Sequence, residues 1–590
     1  VLPFFKRYLY IDLDTHSYKT VPIDEEILKK YGGGKGIGTY LLYTLNPEGV
    51  DPFHPDNHLI INVGAAGSAK VWGASRYGIY TKSPLTNCYL DSTSGGHVAK
   101  FIDKTGYDAI VIRGKSENPV FIEISDKEVI FHDAAELWGK DTHFTEDAVK
   151  DASKRKECGA CVIGPAAENL VRFALLKNDY WRSIGRGGVG AVFGSKRLKG
   201  IVFYGDAERP IGNSEKIEYL YKKYLKESKN SAEVQKYRKW GTPAGVPVLN
   251  KVGAFPTEYW HKGVLEGWEN ITEVKMQEIL DVKPKACDRC FIACGKLSKT
   301  KPGSKYPDLV VEGPEYETFY AFGGLCKIAD VEDILYLNDL CDKLGMDTMT
   351  SGNIVAFTFE ASRLKKINEG YEYGNVEHAA EILRKIAYRE GIGDILANGI
   401  VYASERFGME DLAVHVKGLE PAGYDPRALP GTALGYATSP RGACHLRSGF
   451  YKAELSGVSD PNRIEGKARE VVDWENWFCA YDTLIICRFY RYAYFWDEIT
   501  EIFQALYGDD GITKEQLEEM SNRIISLAKQ FNIRENPDRI SELEKLPERF
   551  FKEPLENGKV MDESVFDKML KEYYELRGWD ENGVPRNVDL

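Results

Sequence analysis

The spacing of hydrophobic and polar residues changes once, sharply, along the chain. Up to about residue 205 apolar residues alternate or come in short runs broken by glycine. Leu9, Ile11 and Leu13 alternate with polar or tyrosine positions, and 58–63, 109–112, 120–124 and 201–203 are apolar runs of strand length. Asp206-Ala-Glu-Arg-Pro210 is a polar link ended by proline. Beyond it the period becomes helical: Ile217, Leu220, Tyr221, Tyr224 and Leu225 share one helix face behind a capping Ser214, and Leu517, Met520, Ile524, Leu527 and Phe531 repeat the stripe near the other end. The pattern predicts an α+β multidomain fold, with a β-rich N-terminal domain over 1–208 and two mostly helical domains over 209–417 and 418–590. No internal repeat is visible.

Composition narrows the class. At 590 residues, 43% hydrophobic and 28% charged, the chain is long enough for several packed domains and too mixed to be disordered. A net charge of −12 argues against a general nucleic-acid or anionic-membrane binder. No uncharged apolar run approaches the ~18–20 residues of a membrane span, and the opening VLPFFKRYLYIDLD is no secretory leader, so a cytoplasmic protein is expected. Five glutamines beside many Lys and Glu lean toward a thermophilic source.

Eleven cysteines are too sparse for a disulfide scaffold. Three of them, Cys287, Cys290 and Cys294, form C-x2-C-x3-C before Gly295, dense enough to converge on one centre. A cubane [4Fe–4S] cluster needs a fourth ligand, and zinc could use the same three plus another; structural zinc more often takes two close pairs. Cys88, Cys158, Cys161, Cys326, Cys341, Cys444, Cys479 and Cys487 are all candidates, and spacing selects none of them. Cys158-Gly-Ala-Cys161 leads into apolar Val162-Ile163 and reads as the beginning of a strand rather than a redox pair.

Two glycine loops invite a phosphate reading. In Gly32-Gly-Gly-Lys35-Gly-Ile-Gly38 the lysine is followed by glycine instead of Ser or Thr, so the Walker order is absent. Gly185-Arg-Gly187-Gly-Val-Gly190 contains GxGxxG but does not follow an evident strand, which disfavours a nicotinamide fold. Its backbone N–H groups beside Arg182 and Arg186 suit a pyrophosphate or similar anion, and Ser92-Thr-Ser-Gly95-Gly96 could serve the same ligand.

Several separated segments together resemble the tungsten-containing aldehyde:ferredoxin oxidoreductase family. They include Thr81-Lys-Ser-Pro-Leu-Thr86, Gly106-Tyr-Asp-Ala-Ile110, Ile163-Gly-Pro-Ala166, Gly185-Arg-Gly-Gly-Val-Gly-Ala191, the cysteine trio, Glu312-Gly-Pro-Glu-Tyr-Glu317, Asp342-Lys-Leu-Gly-Met-Asp347, Tyr424-Asp-Pro-Arg427, Leu434-Gly-Tyr-Ala-Thr438 and Arg441-Gly-Ala-Cys-His445. The resemblance spans nearly the whole chain. It implies a tungsten or molybdenum ion held by two pterins without a protein ligand and sandwiched by the β-rich domain, a [4Fe–4S] cluster, and magnesium bridging the pterin phosphates.

By the same resemblance Cys487 supplies the fourth cluster ligand, within Asp482-Thr-Leu-Ile-Ile486-Cys487, where Ile485 stands in place of the family's glycine. The first pterin loop, Asp342 to Asp347, keeps its glycine at Gly345, which can end the helical stripe Ile334, Leu337, Cys341 and Leu344. The resemblance also assigns the cofactor lining to Arg76, Thr93, Gly95, Arg182, Ser183, Gly185, Arg186, Asp342, Asp347, Arg447, Asp482 and Ile486. Glu317, His445 and Tyr424 then fall beside the metal: Glu317 as proton acceptor, His445 and Tyr424 as donors to a carbonyl oxygen.

The implied reaction oxidises an aldehyde to a carboxylic acid with oxygen from water and passes electrons to ferredoxin. One homodimeric branch of the family bridges its subunits through an iron held by Glu and His; those positions are Tyr336 and Ala380 here, so a different assembly is expected, with a separately encoded small iron–sulfur subunit as the candidate partner. Two rivals stand beside this reading: the catalytic subunit of a benzoyl-CoA-type reductase on the same fold, and a non-catalytic iron–sulfur electron-transfer scaffold.

Overall fold

A computed structural model describes residues 1–590 except 587 and 589. The first third folds into two six-stranded sheets. The first contains β1 (Arg7–Asp12), β2 (Ser17–Pro22), β3 (Leu59–Asn62), β4 (Tyr77–Lys82), β5 (Tyr89–Ser94) and β6 (Ala109–Arg113), in the order β2-β1-β6-β3-β4-β5. The second contains β7 (Val120–Ile124), β8 (Val129–Asp133), β9 (Gly159–Val162), β10 (Leu176–Asn178), β11 (Arg182–Ile184) and β12 (Leu198–Phe203), in the order β11-β10-β9-β12-β7-β8. Each sheet has one parallel pair, β1 with β6 and β7 with β12, and is otherwise antiparallel. The predicted alternation is real: Leu9 and Ile11 are buried, while the facing strand β2 is mostly exposed.

The helical remainder follows the predicted stripes. Helix Ser214–Ser228 buries Ile217, Leu220 and Tyr224, with its cap at Asn213, one residue earlier than expected. Helix Lys514–Glu535 carries a capping box between Thr513 and Gln516 and buries Leu517, Met520, Ile524, Leu527 and Phe531. Each such burial contributes about 1.5–3 kcal/mol against about 1 kcal/mol for the cap, so the apolar face holds this helix in place. That face lies on helix Lys35–Leu45 and β5, and Asn532 Oδ1 accepts the Tyr89 N–H at 2.6 Å, so the C-terminal region closes over the first sheet. Among the described residues no helix is long and apolar enough to cross a membrane.

Two local elements differ from the sequence reading. The middle region contains a three-stranded antiparallel sheet, β13 (Leu280–Lys285), β14 (Gly295–Thr300) and β15 (Val310–Glu312), whose short strands, two of them lysine-bearing, fall outside the strand runs read from the sequence. The GxGxxG segment does follow a strand, β11, three residues long and carrying Arg and Ser. That strand pairs antiparallel with β10, so the βαβ unit of a dinucleotide fold is absent there.

Candidate active site

The β13–β14 hairpin, with Lys285 opposite Gly295, closes a loop that carries Cys287, Cys290 and Cys294. Cys487 comes from the turn leaving helix Lys467–Leu484. All four line one cavity of about 270 Å³ together with Arg76, Gly95, Arg182, Ser183, Glu312 and Tyr490. Among the described residues no group of three or more His, Cys, Asp or Glu side chains is placed to hold a single metal ion. A methyl group at Gly95 would sit 3.0 Å from Cys287 Sγ and 3.2 Å from Arg76 Nη1, so either side chain would have to give way to it.

Arg76 Nη2 donates to the Thr93 carbonyl at 3.1 Å and to its hydroxyl at 2.9 Å, tying the end of β5 to the cavity wall. Arg182 pairs with Glu312. Burial disfavours the Arg182 charge, but Cys287, Glu312 and Cys294 outweigh it and hold the guanidinium above its ordinary value. Ser183 Oγ accepts from Lys177 Nζ at 2.7 Å, and the same ammonium pairs with Asp342, so Lys177 links the cavity wall to the first loop. A methyl group at Gly185 would meet Ser183 Cβ at an ordinary 3.7 Å.

The first loop has the expected architecture. Helix Val331–Leu344 stops at Gly345, φ +80°, and Asp347 caps the next helix, Thr348–Arg363, by accepting from the Met349 and Thr350 N–H groups. Asp342 accepts from Asn338 Nδ2 at 3.0 Å as well as from Lys177; burial raises it to about 6, with Lys177 opposing. Arg186 Nε lies 3.2 Å from Asp347, and its Nη2 donates to the Glu420 carbonyl at 2.9 Å.

In the second loop Ile485 takes the left-handed conformation, φ +50° and ψ 55°, that the family's glycine would adopt freely. The cost, about 1–2 kcal/mol, is borne by packing: the Ile485 side chain is buried, and Gly34 and Gly64 press so close to residues 482–484 that added Cβ atoms would fall 2.5 and 2.2 Å from loop backbone. Ile486 is buried and its N–H goes to the Tyr481 carbonyl at 3.0 Å. Asp482 is clamped by Arg488 at 2.5 and 2.8 Å, with Arg447 at 3.4 Å and Lys35 at 3.9 Å. Burial works against its charge, but Arg488 and Arg447 hold its carboxyl below the usual range. Arg447 and Lys35 also pair with Asp91 on β5.

Glu317 sits on a short helical turn, Tyr316–Thr318, that runs into a π-helical stretch, Phe319–Leu325. Such stretches recur at functional sites. Its Oε2 accepts the Gly423 N–H at 3.0 Å, while Oε1 is buried without a hydrogen bond, 3.4 Å from His445 Nε2. Burial pushes the carboxyl up to about 7. Burial and the guanidiniums of Arg441, Arg186 and Arg447 push His445 well below its ordinary value, so the imidazole is neutral and the contact is not an ion pair. The Tyr424 ring lies 5.5 Å from the His445 ring.

Sequence reasoning missed Lys35, Asp91, Lys177, Glu420, Arg441, Cys444 and Arg488. Cys444 accepts from Arg441 Nη2 at 3.0 Å, and although burial opposes it, Arg441 and Arg447 lower the thiol to about 7. Lys35, Arg441, Cys444 and Arg488 lie in or beside segments already singled out, whereas Lys177 and Glu420 carry no local signal. Tyr336 stacks on Tyr306 with ring centroids 4.6 Å apart, and Ala380 is fully buried.

Four cysteines around one cavity, a largely buried carboxylate–histidine pair and two arginine-clamped loops together describe a redox enzyme. Two family models match, "Aldehyde ferredoxin oxidoreductase, N-terminal domain" over residues 8–205 and "Aldehyde ferredoxin oxidoreductase, domains 2 & 3" over 219–590. The chain is similar to the tungsten-containing aldehyde ferredoxin oxidoreductase of Pyrococcus furiosus, 34% identical over 98% of this chain and 97% of the relative. It is also similar to the aliphatic sulfonate oxidoreductase, WOR-like subunit, of the same organism, 31% identical over 99% and 96%. Its fold is shared by the active site complex of benzoyl coenzyme A reductase in complex with 1,5-dienoyl-CoA, with a TM-score of 0.83, 23% identity, and coverage of 99% of this chain and 96% of that one. The chain belongs to the aldehyde ferredoxin oxidoreductase family and is an oxidoreductase.

Proposed function

We propose that this enzyme oxidises aldehydes to carboxylic acids, taking the added oxygen from water and delivering the electrons to ferredoxin in the cytoplasm. The observation that carries the reading is the pairing of Glu317, its carboxyl raised to about 7 and one oxygen free, with a neutral His445. The reaction RCHO + H2O → RCOOH + 2 H⁺ + 2 e⁻ needs a proton acceptor and a donor to the carbonyl oxygen. Glu317 Oε1 takes a proton from water or from the hydrated aldehyde. The His445 N–H and the Tyr424 hydroxyl orient the carbonyl oxygen and offset its developing charge.

The residues fit the cofactors that the family implies. Arg441 and Arg447 each keep a buried Nε without a partner, and Asp91 and Glu420 each keep such an oxygen. These are groups for a polar ligand to satisfy. Asp342, Asp347, Arg186, Arg447 and Asp482 would hold the two pterins, Arg76, Thr93, Gly95, Arg182, Ser183, Gly185 and Ile486 would complete the lining, and Cys287, Cys290, Cys294 and Cys487 would hold a [4Fe–4S] cluster. Three closely spaced cysteines and one distant one lining a single cavity suit a cluster better than structural zinc, which usually takes its ligands as two close pairs. When bound, the tungsten or molybdenum bis-pterin accepts two electrons and the cluster passes them on singly. A magnesium ion bridging at the Thr93 and Ser183 carbonyls would compete with Arg76 for Thr93.

With Tyr336 and Ala380 where one branch of the family has iron ligands, the assembly involves no iron-bridged homodimer and can recruit a small iron–sulfur subunit. Light scattering that shows an iron-dependent dimer would contradict this. The reaction is tested by offering anaerobically purified enzyme a panel of aldehydes with a viologen dye, against aromatic CoA esters. Aldehyde-dependent dye reduction is expected. Turnover of the CoA esters alone would favour the reductase instead.

A further inference from the structure

Outward from Tyr424 runs a row of aromatic rings that carries two cations without counter-ions. Tyr451 stacks on Tyr424 with centroids 4.0 Å apart and lies 5.5 Å from the His445 ring. Lys452 Nζ lies 5.3 Å from the Tyr451 ring and 5.9 Å from the Tyr237 ring. The Tyr237 hydroxyl accepts from Arg491 Nη2 at 2.8 Å, and Arg491 also donates to the hydroxyl of Tyr492, which is 38% exposed. The row therefore starts at the catalytic pair and ends at the surface.

Several other buried arginines meet carboxylates: Arg209 has Asp103 and Asp108, Arg427 has Asp425, Arg447 has Asp91, and Arg577 has Glu475; Arg441, beside the site, is another that does not. Arg491 is only 5% exposed, donates to two tyrosines and one carbonyl, and keeps its Nε without a partner. The Lys452 ammonium makes no hydrogen bond or ion pair among the described residues. Burial and Arg491 lower the lysine to about 8, and the opposing carboxylate is Glu317 of the site itself. Arg491 is buried and Lys452 only partly exposed, and two like charges with so little water around them cost stability unless something of opposite sign joins them.

We propose that Lys452 and Arg491 receive an anionic group at the far end of the substrate, so that the aldehyde oxidised here carries a carboxylate, sulfonate or phosphate separated from its carbonyl by a short aliphatic spacer. This rests on the aldehyde-oxidation reading and adds a substrate class to it. The carbonyl would lie at Glu317 and His445 and the anion between the ammonium and the guanidinium, with the spacer passing the edges of Tyr424 and Tyr451, whose facing sides are closed by their own stack. Both donors suit charge-assisted hydrogen bonds.

The test compares butanal with 4-oxobutanoate, equal in chain length, on the metal-replete enzyme with a viologen dye. The anion should have a kcat/KM higher by about tenfold, the size of one charge-assisted contact. Lys452→Met should bring the ratio toward one, Lys452→Arg should keep it, and Lys452→Glu should invert it. Sulfonate and phosphate analogues of equal length identify the head group by the largest ratio. Should Lys452→Met fail to fold, wild-type binding decides: succinate should quench the intrinsic fluorescence of the holoenzyme at lower concentration than butyrate. Equal kcat/KM values for the two aldehydes, a ratio that survives Lys452→Met and Lys452→Glu, or equal binding of the two acids would overturn the proposal. Failure to oxidise even butanal would instead sink aldehyde oxidation itself.

Discussion

Asp482 is buried and Glu317 largely so, its side chain 17% exposed; both carboxylates are near the proposed cofactor, and their surroundings are opposite. Asp482 is held by Arg488 and Arg447, with Lys35 close by, and its carboxyl lies below the usual range. Glu317 has one backbone N–H, a neutral histidine and a free oxygen, and its carboxyl is raised to about 7. A carboxylate saturated with guanidinium is a fixed charge that organises a corner of the protein. One left half-satisfied in a desolvated pocket can gain and lose a proton near neutral pH. Sequence gives both as acidic residues in matched segments, and only their neighbours separate binding from catalysis.

The sharpest way to break this contrast is to exchange each carboxylate for a neutral group. Glu317→Gln should keep tungsten and iron while lowering turnover per metal by about 10²–10⁴. Near-normal turnover would remove Glu317 from the mechanism. Asp482→Ala strands buried cations and should cost about 3–5 kcal/mol of stability, read from denaturant midpoints, with a parallel loss of bound metal. Unchanged midpoints would mean that the clamp is idle.

The pH dependences should also have opposite signs. As a base Glu317 must be ionised, so kcat/KM should rise with pH through about 7 and then level, and Glu317→Gln should flatten that step. For stability, a raised carboxyl favours the folded protein below its unfolded value of about 4.3, and that contribution disappears as pH climbs toward the folded value. Glu317→Gln should therefore gain on the wild type between pH 4 and 8. Asp482, with its lowered carboxyl, contributes above its unfolded value of about 3.9 and loses this as pH falls through the folded value, so Asp482→Asn should be worst near neutrality. The smallest effect is at the turn behind Asp482. Ile485→Gly relieves a left-handed isoleucine but empties a buried site, for a net loss of about 1–3 kcal/mol. A stabilised variant would show that strain outweighs packing there.

Much of the fold was legible because its long elements are amphipathic: the stripes of helices Ser214–Ser228 and Lys514–Glu535 and the alternation in β1 are core faces. The β13–β14 hairpin was not, because its strands carry lysines along a partly exposed face and are fixed by the partner strand β15. At the site, motifs marked the cysteines, both aspartate loops and the Arg441 to His445 segment. Lys177, which bridges Ser183 and Asp342 across 165 residues of chain, carries no local pattern, since its role exists only once β10 and helix Val331–Leu344 meet. Lys452 and Arg491 were invisible for a related reason: an unpaired cation is recognised by the partners it lacks.

The central claim is that Cys287, Cys290, Cys294 and Cys487 hold an iron–sulfur cluster that drains electrons from an aldehyde oxidised at Glu317 and His445. It is tested most directly by metal analysis and low-temperature electron paramagnetic resonance of the anaerobically purified protein before and after an aldehyde is added. The account predicts tungsten or molybdenum together with iron, a reduced-cluster signal that develops with the aldehyde, and loss of that signal in Cys487→Ser. A protein free of iron, or a Cys487→Ser variant whose aldehyde-induced signal equals that of the wild type, would contradict it.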